Sequence, residues 1–149
     1  MKVYPSAFSK TNKILMGAVF VILIACTVPV LFIDNDLTGF LVVLLINLAC
    51  IALLIWIILS TKYTLIKNEL KWRSGPFYGK IDVRKIRKIE HHKGLIIPTF
   101  MKAGLSERGL IITYNQFDDV YISPENCETF IGDLQKIKPE IEVIELKSK

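Results

Sequence analysis

Residues 37–59 read LTGFLVVLLINLACIALLIWIIL, 23 residues without a charged side chain. At 1.5 Å per residue this run forms a helix of about 35 Å, enough to cross a hydrocarbon core of about 30 Å. A soluble core helix of this length keeps a polar face, and this run has none. It is read as a membrane span, and the rest of the chain is read outward from it.

Upstream lies a second uncharged run, ILMGAVFVILIACTVPVLFI, at residues 14–33. Its 20 residues make about 30 Å of helix, a second span. Only Asp34, Asn35 and Asp36 separate the two, so 34–36 is expected to be the turn of a helical hairpin. Lys2, Lys10 and Lys13 precede the first span, and Lys62, Lys67, Lys71 and Arg73 follow the second. The turn carries no Lys or Arg, which puts both chain ends in the cytoplasm of a cell-membrane protein and makes residues 1–13 a cytoplasmic N-terminus. Pro29 is expected to kink the first span, and Asn47 to bond across the hairpin, with the Thr27 hydroxyl as a partner. The LIAC sequence ending at Cys26 resembles a lipobox, but an apolar stretch follows where a lipoprotein carries a polar tether. Cys26 and Cys50 lie in the spans and Cys127 lies far away, with no C-x-x-C pair to suggest a disulfide framework or zinc site.

Downstream, residues 61–149 are long enough for one small domain and carry 16 Lys/Arg against 12 Asp/Glu. YTLIKNELKWR alternates as two strands about a turn at Asn68, a residue that tolerates positive φ. Gly75, Pro76 and Gly79 in SGPFYG are read as a break between strands, and GLIITY and DVYIS are two more β-rich runs around NQFD. A C-terminal helix is expected to start with Ser123 as N-cap and Pro124 in first position. Its apolar face is Phe130, Ile131, Leu134 and Ile137, and Pro139 stops it. EIEVIELK is a short alternating tail, read either as a strand or as a frayed end. The total is about six strands and one amphipathic helix, an α+β domain after a membrane α-helical hairpin.

The order of these elements resembles the pleckstrin-homology-like (PH-like) domains of uncharacterised bacterial two-span membrane proteins. The resemblance rests on YTLIKNELKWRSGPFYGKIDVRKIRKI, on LIITY, and on YISPENCETFIGDLQKIKPEI, covering most of residues 63–141. It implies a partly open antiparallel β-barrel capped by the C-terminal helix, with no enzyme activity and with ligands taken on the surface. That family often carries Ser-x-Asp-Arg before the LxIxY strand. Here Ser106 is present, but Gly109 stands where Arg is expected, so the anchoring role of that Arg does not carry over.

No catalytic or cofactor-binding constellation accompanies this pattern. His91 and His92 are the only histidines, and adjacent strand residues point to opposite faces, so the pair does not chelate a metal as a unit. GLSERG, with Ser106, departs from the nucleophile-elbow spacing, and Asp118-Asp119 reads as a turn. Neither a phosphate cradle nor a dinucleotide fingerprint is present.

The candidate binding residues lie in KIDVRKIRKIEHHK at 80–93: Lys80, Arg84, Lys85, Arg87, Lys88 and Lys93. As a helix this stretch would be basic and amphipathic, but Asp82 and Glu90 fall on its apolar side. The resemblance implies instead a strand ending near 81–83, a tight turn and a strand from about Ile86, with isoleucines inward and bases outward. Nucleic acid is disfavoured, because no aromatic residues interleave the bases and the domain sits beside a membrane. Anionic lipid headgroups fit better, and a merely solvated face fits best. The expected function is a membrane-anchored, non-enzymatic binding or scaffolding protein that presents its domain to a protein partner or to the membrane surface. The alternatives are a self-immunity protein against a membrane-active peptide and an anionic-lipid-binding module.

Overall fold

The computed structural model describes residues 1–29, 37–94 and 96–145. The turn expected at 34–36 and the end of the first apolar run lie outside the described residues. Helix α1 (Lys10–Thr27) and helix α2 (Leu37–Ser60) are each long and apolar enough to cross a membrane, and neither has a buried residue. α1 starts four residues before the apolar run because Ser9 caps it, its hydroxyl accepting from the Asn12 amide at 3.2 Å. Pro29 does not kink α1. It lies past the helix end, in the turn that follows Thr27. Nor does Thr27 serve Asn47: its hydroxyl donates to the Ile24 carbonyl of its own helix.

The first sheet has the order β1-β2-β3-β4, all antiparallel: β1 (Lys2–Pro5), β2 (Lys62–Ile66), β3 (Glu69–Ser74) and β4 (Phe77–Asp82). β1 comes from the segment before α1, so residues 1–13 are not a separate N-terminal stretch. They supply an edge strand and, through Ser6 and Phe8, bridges to Pro124 and Leu105. Period-2 alternation sets the inner face of β2 and β3. Tyr63, Leu65, Leu70 and Trp72 are buried, while the residues between them are exposed or partly so. Tyr4, Tyr63, Trp72 and Gly79 align across the four strands, and the Trp72 indole occupies the space a Gly79 Cβ would need. At the β2–β3 turn positive φ falls on Lys67 (φ 50°), not on the expected Asn68. Asn68 is engaged differently. Its carbonyl accepts from the Val83 amide at 2.8 Å, which ties the turn to the end of β4.

The second sheet has the order β6-β8-β7-β5-β9: β5 (Ile86–Lys93), β6 (Met101–Lys102), β7 (Arg108–Tyr114), β8 (Asp118–Ile122) and β9 (Glu142–Ile144). A 3₁₀ turn, Val83–Lys85, joins the sheets, and Asp82 caps it by accepting from the Arg84 amide. Helix α3 (Cys127–Ile137) packs Phe130, Ile131 and Leu134 into the shared core with Ile81, Val83, Ile86, Ile89, Leu110 and Ile112. The two sheets do not join into a closed barrel, which matches the partly open barrel expected.

Helix α3 begins three residues later than expected. Ser123 is not its N-cap, because its polar groups are taken. Its carbonyl accepts from the Ala7 amide at 2.6 Å, its hydroxyl from the Leu105 amide at 2.9 Å, and its amide donates to the Tyr63 hydroxyl at 3.1 Å. Asn126 caps instead, accepting from the Thr129 amide at 3.0 Å.

Candidate functional site

The basic stretch at 80–93 forms the strand, tight turn and strand expected of it, with Ile81, Val83, Ile86 and Ile89 buried. Ile86 and Ile89 are three apart, an odd spacing that strict alternation would send to opposite faces. The register shift between Ile86 and Lys88 makes Arg87 the extra residue, and this bulge lets both isoleucines point inward.

The six candidate residues do not form one surface. Lys80 lies on the outer face of the first sheet. The Arg84 guanidinium faces the Asn68 side-chain amide, which, turned so that its oxygen accepts, has Arg84 Nε at 3.2 Å, and the Arg84 carbonyl accepts from Lys138 Nζ at 3.0 Å. Lys85 lines a cleft with Lys80, Glu69, Asp82 and Tyr114. Arg87 stands exposed on the bulge. Lys88 is paired with Glu90 at 2.8 Å, and Lys93 lies at the far end of β5 opposite Arg108. Arg84 is engaged with the β2–β3 turn and Lys88 is neutralised by its neighbour.

A denser cationic surface lies elsewhere. On the outer face of the first sheet, Lys62 is directly opposite Arg73, and Arg73 is opposite Tyr78. In the next row Thr64 is opposite Lys71, and Lys71 is opposite Lys80. These side chains, with Ile66, border a shallow depression of about 510 Å³. The only ion pair on this face among the described residues is Lys71 with Glu69 at 3.6 Å, both about half exposed. Of the four cations only Lys80 belongs to the sequence-expected set. The signal for the other three was present, because they occupy the outward positions complementary to buried Tyr63, Leu65, Leu70 and Trp72. A count of consecutive charges passes over residues spaced two apart on separate strands.

The turn between β3 and β4 sets where this face sits. Gly75 has φ +59°, and a Cβ built there would lie 2.5 Å from Ile57 Cγ1 in the last turns of α2. The Gly75 amide donates to Ser60 Oγ at 2.8 Å, and the Thr61 hydroxyl lies 3.0 Å from Ser74 Oγ. The Lys62–Arg73–Tyr78 row is thus locked beside the end of α2. Tyr78 in this row and Phe77 beyond it are 80% and 61% exposed.

On the other side of the domain, Ser106 shows no nucleophile geometry. Its hydroxyl accepts from the Arg108 amide at 3.3 Å and its carbonyl accepts from the Tyr121 hydroxyl at 2.7 Å, a turn held by a buried tyrosine. Burial pushes the Tyr121 hydroxyl well above the usual tyrosine range. Asp118 accepts from the Asn115 side chain at 2.7 Å and closes the β7–β8 turn, where Asn115 has φ 51°. His92 packs edge-on against Tyr121 at 6.0 Å.

Compared with known families, residues 61–138 match the model described as a bacterial PH domain. The match runs from the start of β2 to the end of α3, leaving β1, both apolar helices and β9 outside it. No curated protein and no solved structure matches the chain.

Proposed function

This chain belongs to the bacterial PH domain family, and on that premise we propose that it is a membrane-anchored binding module holding its domain against the cytoplasmic face of the cell membrane. The observation that carries this reading is the pairing of β1 with β2. β1 precedes α1 and β2 follows α2, so two segments flanking the helical pair share one sheet. If both helices cross the bilayer, both ends of the hairpin emerge on the same side. The Lys/Arg bias then assigns that side to the cytoplasm: cations flank the domain end of each helix, and the sequence between the helices has none.

Two tethers rather than one hold the domain. Ala7 and Asn12 bond to Ser123 and Leu105 at the entry to α1, and Thr61 and Ser74 join at the exit of α2. A domain fixed this way presents set surfaces to the membrane and to the cytosol, which suits a scaffold better than a mobile catalytic head. PH-like domains are in general binding modules without catalytic activity, and this agrees with the non-enzymatic reading.

Protease protection tests the orientation with the full chain in its own membranes. The domain should be digested in inverted vesicles and protected in intact spheroplasts. Digestion from outside intact cells would overturn the reading. Cross-linking and recovery from those membranes would then show what the cytosolic surfaces hold.

A further inference from the structure

The second sheet carries two nearly naked aromatic side chains at its membrane-distal end. Phe100, just before β6, is 95% exposed, and Phe117, in the β7–β8 turn, is 88% exposed. Met101 is paired with Val120, so Phe100 lies beside the stem of the turn that carries Phe117. Ile96, in the link from β5 to β6, is exposed as well. Single exposed apolar residues are ordinary, but two adjoining phenylalanines expose on the order of 300–400 Å² between them. Apolar patches of this size mark interaction surfaces.

Lipid does not cover this one. Ser123 is held at the entry to α1 by the Ala7 amide, and Phe100 stands level with Asp119, four residues back along β8. That is about 13 Å along the strand, with Phe117 further out. The headgroup layer is about 5–8 Å deep on each side of the hydrocarbon core.

We infer that a second copy of this chain docks here, about a two-fold axis normal to the membrane. The inference names a partner for the binding module and rests on the reading that α1 and α2 cross the bilayer. Copies in one membrane share height and orientation. The strands of the second sheet run away from the membrane, so its outer face looks sideways toward a neighbour. That face is the one bearing Ile111, which alternates with the core residues Leu110 and Ile112. The register lays two rows across it. Asp119, Thr113, Lys88 and Glu142 form one, and Lys102, Tyr121, Ile111, Glu90 and Ile144 the other.

Charge complementarity follows from the symmetry. An axis through the central strand, β7, sets the β6 edge of one copy against the β9 edge of the other, and β8 against β5. Lys102 then meets Glu142, and Asp119 meets Lys88. Within the chain Lys102 and Glu142 make no ion pair among the described residues. Glu142 is opposite Lys88, but Lys88 is taken by Glu90. Arg108 lies off this face, lining a cleft with Glu125 and Glu128 beside α3. Phe117 sits near the axis and meets its own mate, while Phe100 at the β6 edge reaches the exposed Ile144 of the other copy. Area separates a second copy from a soluble partner. A stable interface takes about 800 Å² from each side, which the aromatic patch does not supply alone. Two chains confined to one membrane at matched height need less, because tethering raises their effective concentration.

Energy transfer between copies of the full chain in phosphatidylcholine vesicles tests this. Chains carrying donor or acceptor on a C-terminal tag are mixed and diluted with lipid. Transfer should exceed random mixing and follow the acceptor fraction as a dimer does. Phe100→Ser and Phe117→Ser together should weaken association about tenfold or more, and the exposure of both side chains spares the core. Lys102→Glu or Glu142→Lys alone should weaken it about fivefold, since each dimer holds the pair twice. Both reversals in one chain should restore it, which association through the spans alone would not do. Phe77→Ser, exposed on the first sheet, should leave transfer unchanged. Transfer no greater than random mixing, no loss in the phenylalanine variant, or no restoration by the charge exchange would overturn the docking. Flotation of the same vesicles keeps the two readings apart. Protein that floats without transfer faults the docking alone, and protein that fails to float overturns the span reading and the docking with it.

Discussion

Lys2 Nζ lies 2.6 Å from an Asp133 carboxylate oxygen, joining the strand before the first apolar helix to the helix that caps the domain. Tyr4 donates to the same oxygen, and Lys136 reaches the other at 3.0 Å. The Lys2 hydrogen bond, then those of Tyr4 and Lys136, hold the Asp133 carboxyl well below the usual carboxylate range. Burial and then Asp133 push the Tyr4 hydroxyl up to about 12. The two shifts act at opposite ends of the pH scale. A depressed carboxyl stabilises the fold above its unfolded pKa of about 3.9 and loses that contribution as the solution becomes more acid. A raised tyrosine stabilises below its unfolded pKa of about 10 and loses its contribution as pH climbs towards 12. Thermal unfolding of the full chain in detergent should show both declines. Asp133→Asn should lower stability at neutral pH and flatten the acid decline, and Tyr4→Phe should flatten the alkaline one. Unchanged profiles in both variants would mean that β1 is not docked in solution.

Gly109 stands where the resemblance leads one to expect Arg, and the packing explains the departure. A Cβ there would lie 2.3 Å from the Ile122 carbonyl oxygen and 2.7 Å from the Tyr121 hydroxyl. The Tyr121 ring crosses the strand at that point so that its hydroxyl can reach Ser106. Gly109→Ala must displace backbone as well as the ring, and should cost about 1–3 kcal/mol, the usual range for overpacking. A melting temperature unchanged by Gly109→Ala would show that β7 and β8 are looser than described.

The N-cap of α3 offers a sharper contrast. Asn126→Ala should cost about 0.5–2 kcal/mol, and Asn126→Ser should recover most of it, because both side chains accept from the exposed N-terminal amides. Ser123→Ala should also destabilise, but for another reason: it leaves the Leu105 amide without the acceptor it has at 2.9 Å. A neutral Asn126→Ala, measured by thermal unfolding, would return the cap to Ser123.

The parts of the molecule legible in the sequence are those governed by local periodicity. Two long uncharged runs announce α1 and α2, and alternation over Tyr63–Leu65 and Leu70–Trp72 orders β2 and β3. The spacing of Phe130, Ile131 and Leu134 marks the buried face of α3. What was not legible depends on partners distant in the chain. β1 is too short to show an alternating apolar pattern: of its inward residues only the Tyr4 ring packs on the core, edge-on to Phe130 at 5.0 Å, and Lys2 pairs with Asp133 instead. Ser123 has good cap chemistry, and only the arrival of Ala7 and Leu105 diverts it. The charge-dense stretch at 80–93 drew attention through its local composition. Folding splits it among a sheet face, a turn and an ion pair, and gathers Lys62, Lys71, Arg73 and Lys80 from three strands instead.

The contact between Gly75 and Ile57 decides how rigidly that gathered face is held at the end of α2, and it can be dissected. Gly75→Ala meets two penalties: a side chain at φ +59°, and a Cβ at 2.5 Å from Ile57 Cγ1. Backbone strain of this kind costs about 1–3 kcal/mol by itself, and no change at Ile57 relieves it. The steric part is separable, because Ile57→Ala removes Cγ1 while leaving the backbone in place. The double variant should therefore be more stable than the sum of the single effects by about 0.5–3 kcal/mol, the range for residues in direct contact. Thermal unfolding of the four proteins supplies the cycle, and limited proteolysis at Ser74–Phe77 reports whether the turn has left the helix. Strictly additive effects, with no new cleavage in Gly75→Ala, would mean that the β3–β4 turn does not rest on α2 and that the cationic face is free to tilt.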